Sequence, residues 1–310
     1  MAETMATRQA YGKTLIELGE KYPQLVVMDA DLSKSTMTAE FGKTYPDRFF
    51  NMGIAEQNLY GAAAGLALSG KIVCASTFAM FATGRAFEII RNSIGYTRAN
   101  VKICATHAGI TVGEDGASHQ TFEDIALMRT IPGMTVINPS DGVSAKKLLE
   151  QAVAMEGPCY VRLGRAKVPV FYEDSDQLTL GKGNLVKDGK DVTIVATGIM
   201  VSEAMTAAEK LKEDGIDARI IDIHTIKPID EEILIKAAQE TGAIVTAEEH
   251  SIIGGLGSAV AEVIVKNCPV KMAMVGQKDT YGESGKPDEL KKKYGMTAED
   301  IEAAVKTLIG

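Results

Sequence analysis

The sequence lacks the features of a membrane or exported protein. No run of about 18 apolar residues, the length that a transmembrane helix needs, occurs among its 310 residues. The polar start, Met1-Ala2-Glu3-Thr4, has no apolar core of the kind found in signal peptides. We therefore expect a cytoplasmic protein that does not bind membranes.

Positive charge and cysteine are also scarce. Lys and Arg total 33 against 41 Asp and Glu, a net charge of −8, so we expect no nucleic-acid partner. The four cysteines lack the close pairs that a zinc site or a redox motif requires. Cys74 and Cys104 lie in apolar strand-like runs, where a thiol behaves as a small hydrophobic group. We interpret all four, including Cys159 and Cys268, as structural, and predict no metal ligands on this chain.

What the sequence does contain is an alternation of strands and helices. A hydrophobic content of 45% supplies sizeable cores, and the length suits two domains of about 100–200 residues each. Apolar, β-branched runs separated by helical stretches predict a parallel sheet flanked by helices. In the first half the predicted strands are Leu25–Asp29, Lys71–Ala75, Val101–Thr106, Thr135–Asn138 and Cys159–Leu163.

A second series of strands and helices follows a charged, Gly-rich stretch. We predict one domain over residues 1–172, a linker over 173–190 and a smaller domain over 191–310, each doubly wound with a mostly parallel sheet. The predicted strands are Val192–Ala196, Ala218–Ile223, Ala243–Ala247 and Val270–Val275, and the predicted helices cover about 202–214, 230–240, 259–265 and the segment after Thr297.

Glu56 is the most informative single residue. It lies at a Gly-marked turn, Asn51-Met52-Gly53-Ile54-Ala55-Glu56, that leads into a helix of small residues from Gly61 to Ala67. Glycine within a helix costs about 1 kcal/mol relative to alanine, so we expect another backbone or a cofactor close to this helix. Taken alone, Glu56 could also be an acid favoured by the helix dipole, an effect of under about 1 kcal/mol.

Two further blocks accompany Glu56. Ser76-Thr77-Phe78-Ala79-Met80-Phe81 follows one predicted strand, and His107-Ala108-Gly109 with Gly113-Glu114-Asp115-Gly116-Ala117-Ser118-His119-Gln120 follows another. Together with the stretch around Glu56, these blocks resemble transketolase. The resemblance covers the whole chain, but it extends over only the carboxyl-terminal part of that enzyme.

The resemblance implies a split enzyme. Full-length transketolases begin with a domain whose Gly-Asp-Gly segment helps to hold magnesium and the diphosphate of the cofactor, thiamine diphosphate; this sequence contains no Gly-Asp-Gly. We expect an amino-terminal subunit to supply that domain and the Mg²⁺ ligands, with two copies of each subunit in the assembly. The chain itself resembles the pyrimidine-binding domain followed by the transketolase C-terminal domain.

For the cofactor, the resemblance implies that Glu56 contacts the ring nitrogen of the aminopyrimidine. That role calls for a buried, protonated acid, and the apolar neighbours Ile54 and Leu59 favour burial. Phe78 and Phe81 match the aromatic wall on which the ring stacks, although either would also suit an ordinary core. Family members often carry another aromatic shortly after Phe81, where this chain has Thr83-Gly84-Arg85.

For the sugar, the resemblance implies contacts from His107 and Asp115. His119 matches a position close to the cofactor and to the reacting hydroxyl, where an imidazole can take and return a proton. Some family members have Gln there. We interpret the two remaining histidines, His224 and His250, as structural.

For the terminal phosphate of the sugar, the resemblance implies Arg8, Ser35 and Arg165. The planar guanidinium suits phosphate oxygens. Each residue alone is more typical of a solvated surface, but as a set they predict a sugar phosphate substrate. Asp31 matches an acid that approaches the cofactor across a subunit interface, with Asp29 as the alternative.

These observations predict the carboxyl-terminal subunit of a two-subunit transketolase, which moves a two-carbon ketol unit from a ketose phosphate to an aldose phosphate. The alternatives within enzymes are a deoxyxylulose-phosphate synthase or the beta subunit of a 2-oxoacid dehydrogenase. Outside enzymes, the alternative is a non-catalytic regulatory subunit that retains the fold.

Overall fold

The computed structural model describes residues 3–310 and contains two α/β domains, as the strand and helix pattern predicts. Residues 3–310 contain fourteen strands: β1 Thr4–Met5, β2 Leu25–Asp29, β3 Phe49–Asn51, β4 Ile72–Ser76, β5 Val101–Ala105, β6 Thr135–Ile137, β7 Cys159–Arg162, β8 Val168–Pro169, β9 Asn184–Lys187, β10 Val192–Ala196, β11 Ala218–Asp222, β12 Thr225–Lys227, β13 Ala243–Ser251 and β14 Lys271–Gln277.

Helices connect these strands. Within the same residues the α-helices are α1 Thr7–Lys21, α2 Ser33–Thr36, α3 Ala39–Thr44, α4 Glu56–Leu68, α5 Phe87–Ile89, α6 Asp124–Thr130, α7 Gly142–Ala154, α8 Met200–Glu213, α9 Glu231–Thr241, α10 Leu256–Asn267, α11 Pro287–Lys293 and α12 Ala298–Ile309. Wider π-helical turns, Phe81–Arg85 and Ile90–Gly95, flank α5, and Ile110–Asp115 forms 3₁₀ turns. No helix in the described part of the chain is long and apolar enough to cross a membrane.

The first sheet has seven strands in the order β12-β6-β7-β5-β4-β2-β3. All of its pairings are parallel except that of β12 with β6. Strands β2, β4, β5 and β7 are buried throughout because helices cover both faces, which is why they read as continuous apolar runs. The prediction for β2 matches its observed bounds, and that for β4 is displaced by one residue.

The second sheet has five strands in the order β14-β13-β10-β11-β9. Only β9 runs antiparallel, against β11. Strand β9 lies inside residues 173–190, which we predict as a linker. The domain boundaries stay a prediction. At the end of the chain, the N–H of Thr297 is accepted by Asp300 at 2.9 Å, which caps α12 as the sequence predicts.

Strand β12 joins the two domains directly. It follows β11 of the second sheet in sequence, but it pairs with β6 of the first sheet, Thr225 opposite Ile137. Short strands such as this one carry too few apolar residues for periodicity to reveal them. Cys74, Cys104 and Cys159 are buried, Cys268 is half-buried, and all four are free thiols, as their structural interpretation requires.

Candidate active site

The candidate residues converge because parallel strands end at a common sheet edge. Asp31 follows β2, Glu56 follows β3, Phe78 follows β4, His107 follows β5 and Arg165 follows β7. The carboxyl ends of these strands lie side by side, and this edge is where ligands of doubly wound proteins bind. We call it the first carboxyl edge.

Glu56 begins α4 and is buried, with 2% of its side chain exposed. Leu59 is itself fully buried, whereas Ile54 is 78% exposed, so the expectation that Ile54 desolvates the acid is wrong for residues 3–310. A Cβ placed on Gly61 or Gly65 of α4 would meet no atom of another segment within 4 Å. The close neighbour expected from these glycines is therefore not supplied within residues 3–310.

Arg85 is the partner of Glu56. Its Nη1 donates to Glu56 Oε2 at 2.8 Å, and its guanidinium carbon lies 4.8 Å from the centre of the Phe81 ring. The Arg85 side chain is 50% exposed, so it can leave without disturbing the core. A planar cation therefore lies beside both the Glu56 carboxylate and the Phe81 ring.

Phe81 begins the π-helical segment, and Phe78 lies three residues before it. Their rings are 6.1 Å apart and inclined by only 13°, so they form one apolar wall. His119 approaches both rings by its edge, at 6.2 Å from Phe78 and 5.3 Å from Phe81. The hydroxyl of Ser118 lies 2.9 Å from His119 Nδ1. This arrangement brings together one histidine and both predicted aromatic residues.

His107 is buried and stacks on Phe78, with ring centres 3.8 Å apart. Burial, followed by the charges of Arg8, Arg165 and His119, lowers its pKa to about 3. Its Nε2 accepts from Arg8 Nη1 at 3.4 Å, which leaves Nδ1–H to donate to Thr106 Oγ1 at 2.9 Å. His107 is therefore a neutral hydrogen-bonding group at neutral pH. Its φ of +59° places it in the left-handed region, which non-Gly residues rarely adopt, although Asn, Asp and His do so more often than others.

Two arginines line the next part of the edge. Arg8 Nη1 donates to the carbonyl of Ser35 at 2.7 Å, so Ser35 contributes its backbone rather than its hydroxyl. Arg165 Nη1 donates to the carbonyl of Val112 at 2.6 Å and to Glu114 at 2.8 Å. Burial, followed by the charge of Arg165, lowers the pKa of Arg8, and Arg8 Nε is buried with no hydrogen-bond partner. An anion would satisfy both observations.

The acids occupy different surroundings. Asp29 is buried, and its carboxylate accepts from the Leu32 N–H at 2.6 Å and from the hydroxyls of Thr36 and Thr38. Asp31 is exposed and exchanges hydrogen bonds of 3.0 and 3.1 Å with Asn51. Asp29 is thus committed to local structure, whereas Asp31 faces outward.

Asp115 is the candidate least constrained by its surroundings. It is exposed at the end of the 3₁₀ turns Ile110–Asp115, on the segment that also carries His119. Sequence reasoning did not identify Arg85 as the partner of Glu56 or Glu114 as the partner of Arg165. A cation and an acid at those positions were visible in the sequence, but which groups they meet depends on the path of the backbone between strands.

The second domain contributes no predicted site residue. His224 is buried, burial lowers its pKa to about 4, and its Nε2 lies 3.1 Å from Asn184 Oδ1. His250 is also buried, and its Nε2 accepts from the Ala126 N–H at 3.3 Å. Both histidines bind protein groups, which agrees with a structural role.

Two protein-family models match this chain. A family model described as transketolase, pyrimidine binding domain, matches residues 3–170. A second, described as transketolase, C-terminal domain, matches residues 181–301.

Individual proteins that resemble this chain carry transketolase names. A Methanocaldococcus jannaschii protein, provisionally named a transketolase C-terminal section, is 57% identical over 95% of this chain and 93% of its own length. A 6-deoxy-6-sulfo-D-fructose transketolase subunit of Clostridium sp. is 44% identical, over 95% of this chain and 91% of its own. A solved structure of a split-gene transketolase, described as an inactive beta4 tetramer, is 56% identical with a TM-score of 0.93 and covers 98% of both chains. Mouse transketolase is 38% identical to this chain, which spans 50% of the length of the mouse protein.

Proposed function

This chain belongs to the transketolase family, and from that premise we propose that it is the carboxyl-terminal subunit of a two-subunit transketolase. It moves a two-carbon ketol unit from a ketose phosphate to an aldose phosphate. The observation that carries the proposal is the convergence of Glu56, Phe81, His107 and Arg165 on the first carboxyl edge. An acid, an aromatic wall, an imidazole and an anion-binding cation are the groups that this reaction requires of this half of the site.

The residues present fit the aminopyrimidine of thiamine diphosphate. The Arg85 guanidinium is a planar group that hydrogen-bonds to Glu56 and lies over the Phe81 ring. An aminopyrimidine that replaces it would meet the same carboxylate and the same ring. When bound, thiamine diphosphate supplies a nucleophilic carbon that carries the ketol unit between sugars.

Glu56 then holds a proton at the pyrimidine ring nitrogen, and its burial excludes competing water. This role requires the Arg85 ion pair to open, because one carboxylate oxygen cannot serve the guanidinium and the ring nitrogen equally well. The exposure of Arg85 allows that movement.

The histidines take different roles. His107, neutral and held by Thr106 through Nδ1, orients a sugar hydroxyl that donates to Nε2 in place of Arg8. His119, partly exposed above the aromatic wall, exchanges a proton with the reacting hydroxyl. Asp115 projects from the same segment toward solvent and contacts a sugar hydroxyl.

Arg8 and Arg165, with the Ser35 segment, bind the anionic end of the sugar. The unpartnered Arg8 Nε supports an anion at this position. A second candidate substrate is a sugar that ends in a sulfonate, since the Clostridium relative is named for 6-deoxy-6-sulfo-D-fructose. Both anions present oxygens to the same two guanidinium groups, so the assay must compare them.

The partner is an amino-terminal subunit that carries the diphosphate-binding domain and the Mg²⁺ ligands, with two copies of each subunit. Support comes from the domain content, since the matched regions are the pyrimidine and C-terminal domains, and from the half-length match to the mouse enzyme. Asp31 and the exposed glycine face of α4 lie where a neighbouring subunit would close the site.

Reconstitution tests the proposal. The full chain is mixed with an amino-terminal transketolase subunit, thiamine diphosphate and Mg²⁺, and ketol transfer is followed from xylulose 5-phosphate, or from 6-deoxy-6-sulfofructose, to ribose 5-phosphate. We expect transfer from the mixture and none from either subunit alone. Transfer to glyceraldehyde 3-phosphate with pyruvate as donor would instead indicate a deoxyxylulose-phosphate synthase. Thiamine diphosphate binding without any turnover would favour a regulatory subunit.

A further inference from the structure

The segment that carries His107, Asp115 and His119 packs against the second domain. We call residues 107–120 the histidine loop. Near its start, the Gly109 N–H donates to the carbonyl of Thr121, the residue that follows the loop, at 3.1 Å. Just after the loop, the Phe122 carbonyl accepts from the N–H of Ser251 at the end of β13, at 2.9 Å.

Glu249 of β13 makes the most direct contact. Its Oε1 accepts the N–H of Thr111 at 2.7 Å in a buried position. A Cβ placed on Gly109 would lie 2.3–2.6 Å from the Glu249 carboxylate, so any side chain at this position would displace that carboxylate. Gly109 also has a φ of +81°, so both its backbone conformation and its contact require glycine.

Glu249 is itself held in place by the first domain. Arg162 Nη2 donates to the Glu249 carbonyl at 2.8 Å, and its Nη1 lies 3.9 Å from Glu249 Oε2. The same guanidinium pairs with Asp124 at 2.7 Å. All three side chains are at least nine-tenths buried. Burial raises the pKa of Glu249, whereas Arg162 and the Thr111 N–H oppose that rise.

A second support lies at the far end of the histidine loop. Gln120 is buried beside His119, and its Nε2 donates to the Glu283 carbonyl at 2.9 Å. A Cβ on Gly116 would lie 2.4 Å from Ser284 Oγ. The loop thus contacts the second domain at Thr111, Gly116 and Gln120, whereas the side chain of Asp115 is exposed and that of His119 is partly exposed.

We propose that Glu249 is a positioning residue for ketol transfer. Glu249 fixes the histidine loop through the Thr111 N–H and thereby sets the positions at which His107 and His119 meet the sugar. Without an acceptor, the buried Thr111 N–H lacks its partner and the loop opens. The kinetic part of this proposal rests on the proposed function, whereas the structural part does not.

The structural part is tested by hydrogen exchange on the full chain, with mass spectrometry of peptides covering residues 109–121. Glu249→Met removes the acceptor, and Glu249→Gln retains one; both remove the charge. We expect exchange about tenfold faster or more in Glu249→Met and close to wild type in Glu249→Gln. Glu248→Gln is the matched control, because that buried neighbour accepts from Leu256 and Gly257 at the start of α10 instead.

Equal exchange in Glu249→Met and Glu249→Gln, or the same acceleration in Glu248→Gln, overturns the proposal. Should Glu249→Met fail to fold, the wild-type chain still provides a test. Its Thr111 amide must then exchange more slowly than that of exposed Ser118 when both are resolved by NMR, and the reverse order overturns the proposal.

The kinetic part is tested with the reconstituted enzyme. We expect kcat/KM of Glu249→Met to fall about 10- to 100-fold, with thiamine diphosphate affinity nearly unchanged and most activity restored in Glu249→Gln. A loosened loop without a change in kcat/KM overturns the positioning role. If the wild-type mixture shows no ketol transfer at all, the proposed function fails, and the exchange experiment alone decides whether Glu249 fixes the loop.

Discussion

The two domains use the same edge of the same architecture for different purposes. The first carboxyl edge leaves Arg85, Asp31 and Asp115 exposed. The carboxyl ends of β10, β11 and β13, which we call the second carboxyl edge, are buried against the first domain; Thr197, Asp222, His224, Glu249 and His250 lie there with at most 3% exposure.

Several buried polar groups of the second carboxyl edge have first-domain partners. Asp222 accepts from the Tyr172 hydroxyl at 3.0 Å and from Ser140, and burial raises the pKa of its carboxyl to about 7. The Thr197 hydroxyl lies 3.5 Å from the Asn138 carbonyl. Strand topology alone therefore does not make a site. Which edge is left open determines which one can bind a substrate.

The sharpest test of this comparison replaces one buried acid on each edge. Glu56→Gln should lower ketol transfer about 10²–10⁴-fold, the usual contribution of a general acid or base, while calorimetry still detects thiamine diphosphate binding. Glu248→Gln should leave the rate per folded enzyme unchanged, because that carboxylate accepts the first N–H groups of α10. Comparable rate losses in the two variants would contradict the division of roles.

A second test compares two ion-paired arginines. Arg165→Ala should weaken phosphorylated sugars by about 1.5–3 kcal/mol relative to unphosphorylated hydroxypyruvate, because only the former lose a charge-assisted hydrogen bond. Arg219 of β11 pairs with Asp188 and Glu240, and Arg219→Ala should affect neither substrate. The measurement is kcat/KM for each donor; equal losses on both donors in Arg165→Ala would remove the phosphate assignment.

A third test uses pH and the buried histidines. The pKa of His107 is about 3 and that of His224 about 4 in the folded chain, below the value of about 6.5 expected when unfolded. Each therefore stabilises the fold above about pH 6.5, and this contribution is lost as the pH falls toward the folded pKa.

Between pH 7.5 and pH 5, this loss amounts to about 2 kcal/mol for each histidine. His107→Asn, a residue that tolerates the left-handed backbone, and His224→Asn should each flatten the pH dependence of the unfolding free energy by about that amount in urea titrations. Only His107→Asn should also lower ketol transfer. A pH dependence unchanged in His107→Asn would show that this imidazole titrates normally.

The smallest expected effect concerns Arg85. Arg85→Ala removes an ion pair and a cation–π contact that the cofactor must displace, so thiamine diphosphate should bind about two- to fivefold more tightly to the reconstituted enzyme. Lys182→Ala, which removes an exposed ion pair with Asp230 and Glu232, should leave the affinity unchanged. Weaker binding in Arg85→Ala would make Arg85 a part of the cofactor site rather than its temporary occupant.

The sequence predicted those parts of the molecule that depend on local pattern. Strands β2 and β10 have the predicted bounds because they are buried on both faces and read as unbroken apolar runs. The fold class is confirmed, and the chain is confirmed to resemble transketolase. The roles of Glu56, Phe81 and the histidines stay predictions, although the structure places these residues together.

What the sequence could not predict depends on distant segments that meet. Arg85 reaches Glu56 because a π-helical segment turns it back over Phe81, and no periodicity announces such a turn. Ile54 is apolar but points outward, since residues in a turn have no fixed inner face. Glu249 lies 138 positions from its partner Thr111.

The pairing of β12 with β6 has a practical consequence for dissecting the protein. A fragment that ended near residue 172 would lose β12 and leave the apolar strand Thr135–Ile137 as an open border of the first sheet. Open borders of this kind recruit strands from other molecules, which leads to aggregation. The two domains are therefore not interchangeable modules. A chimaera that exchanges the second domain must also carry a β12 that pairs with β6 of the first sheet.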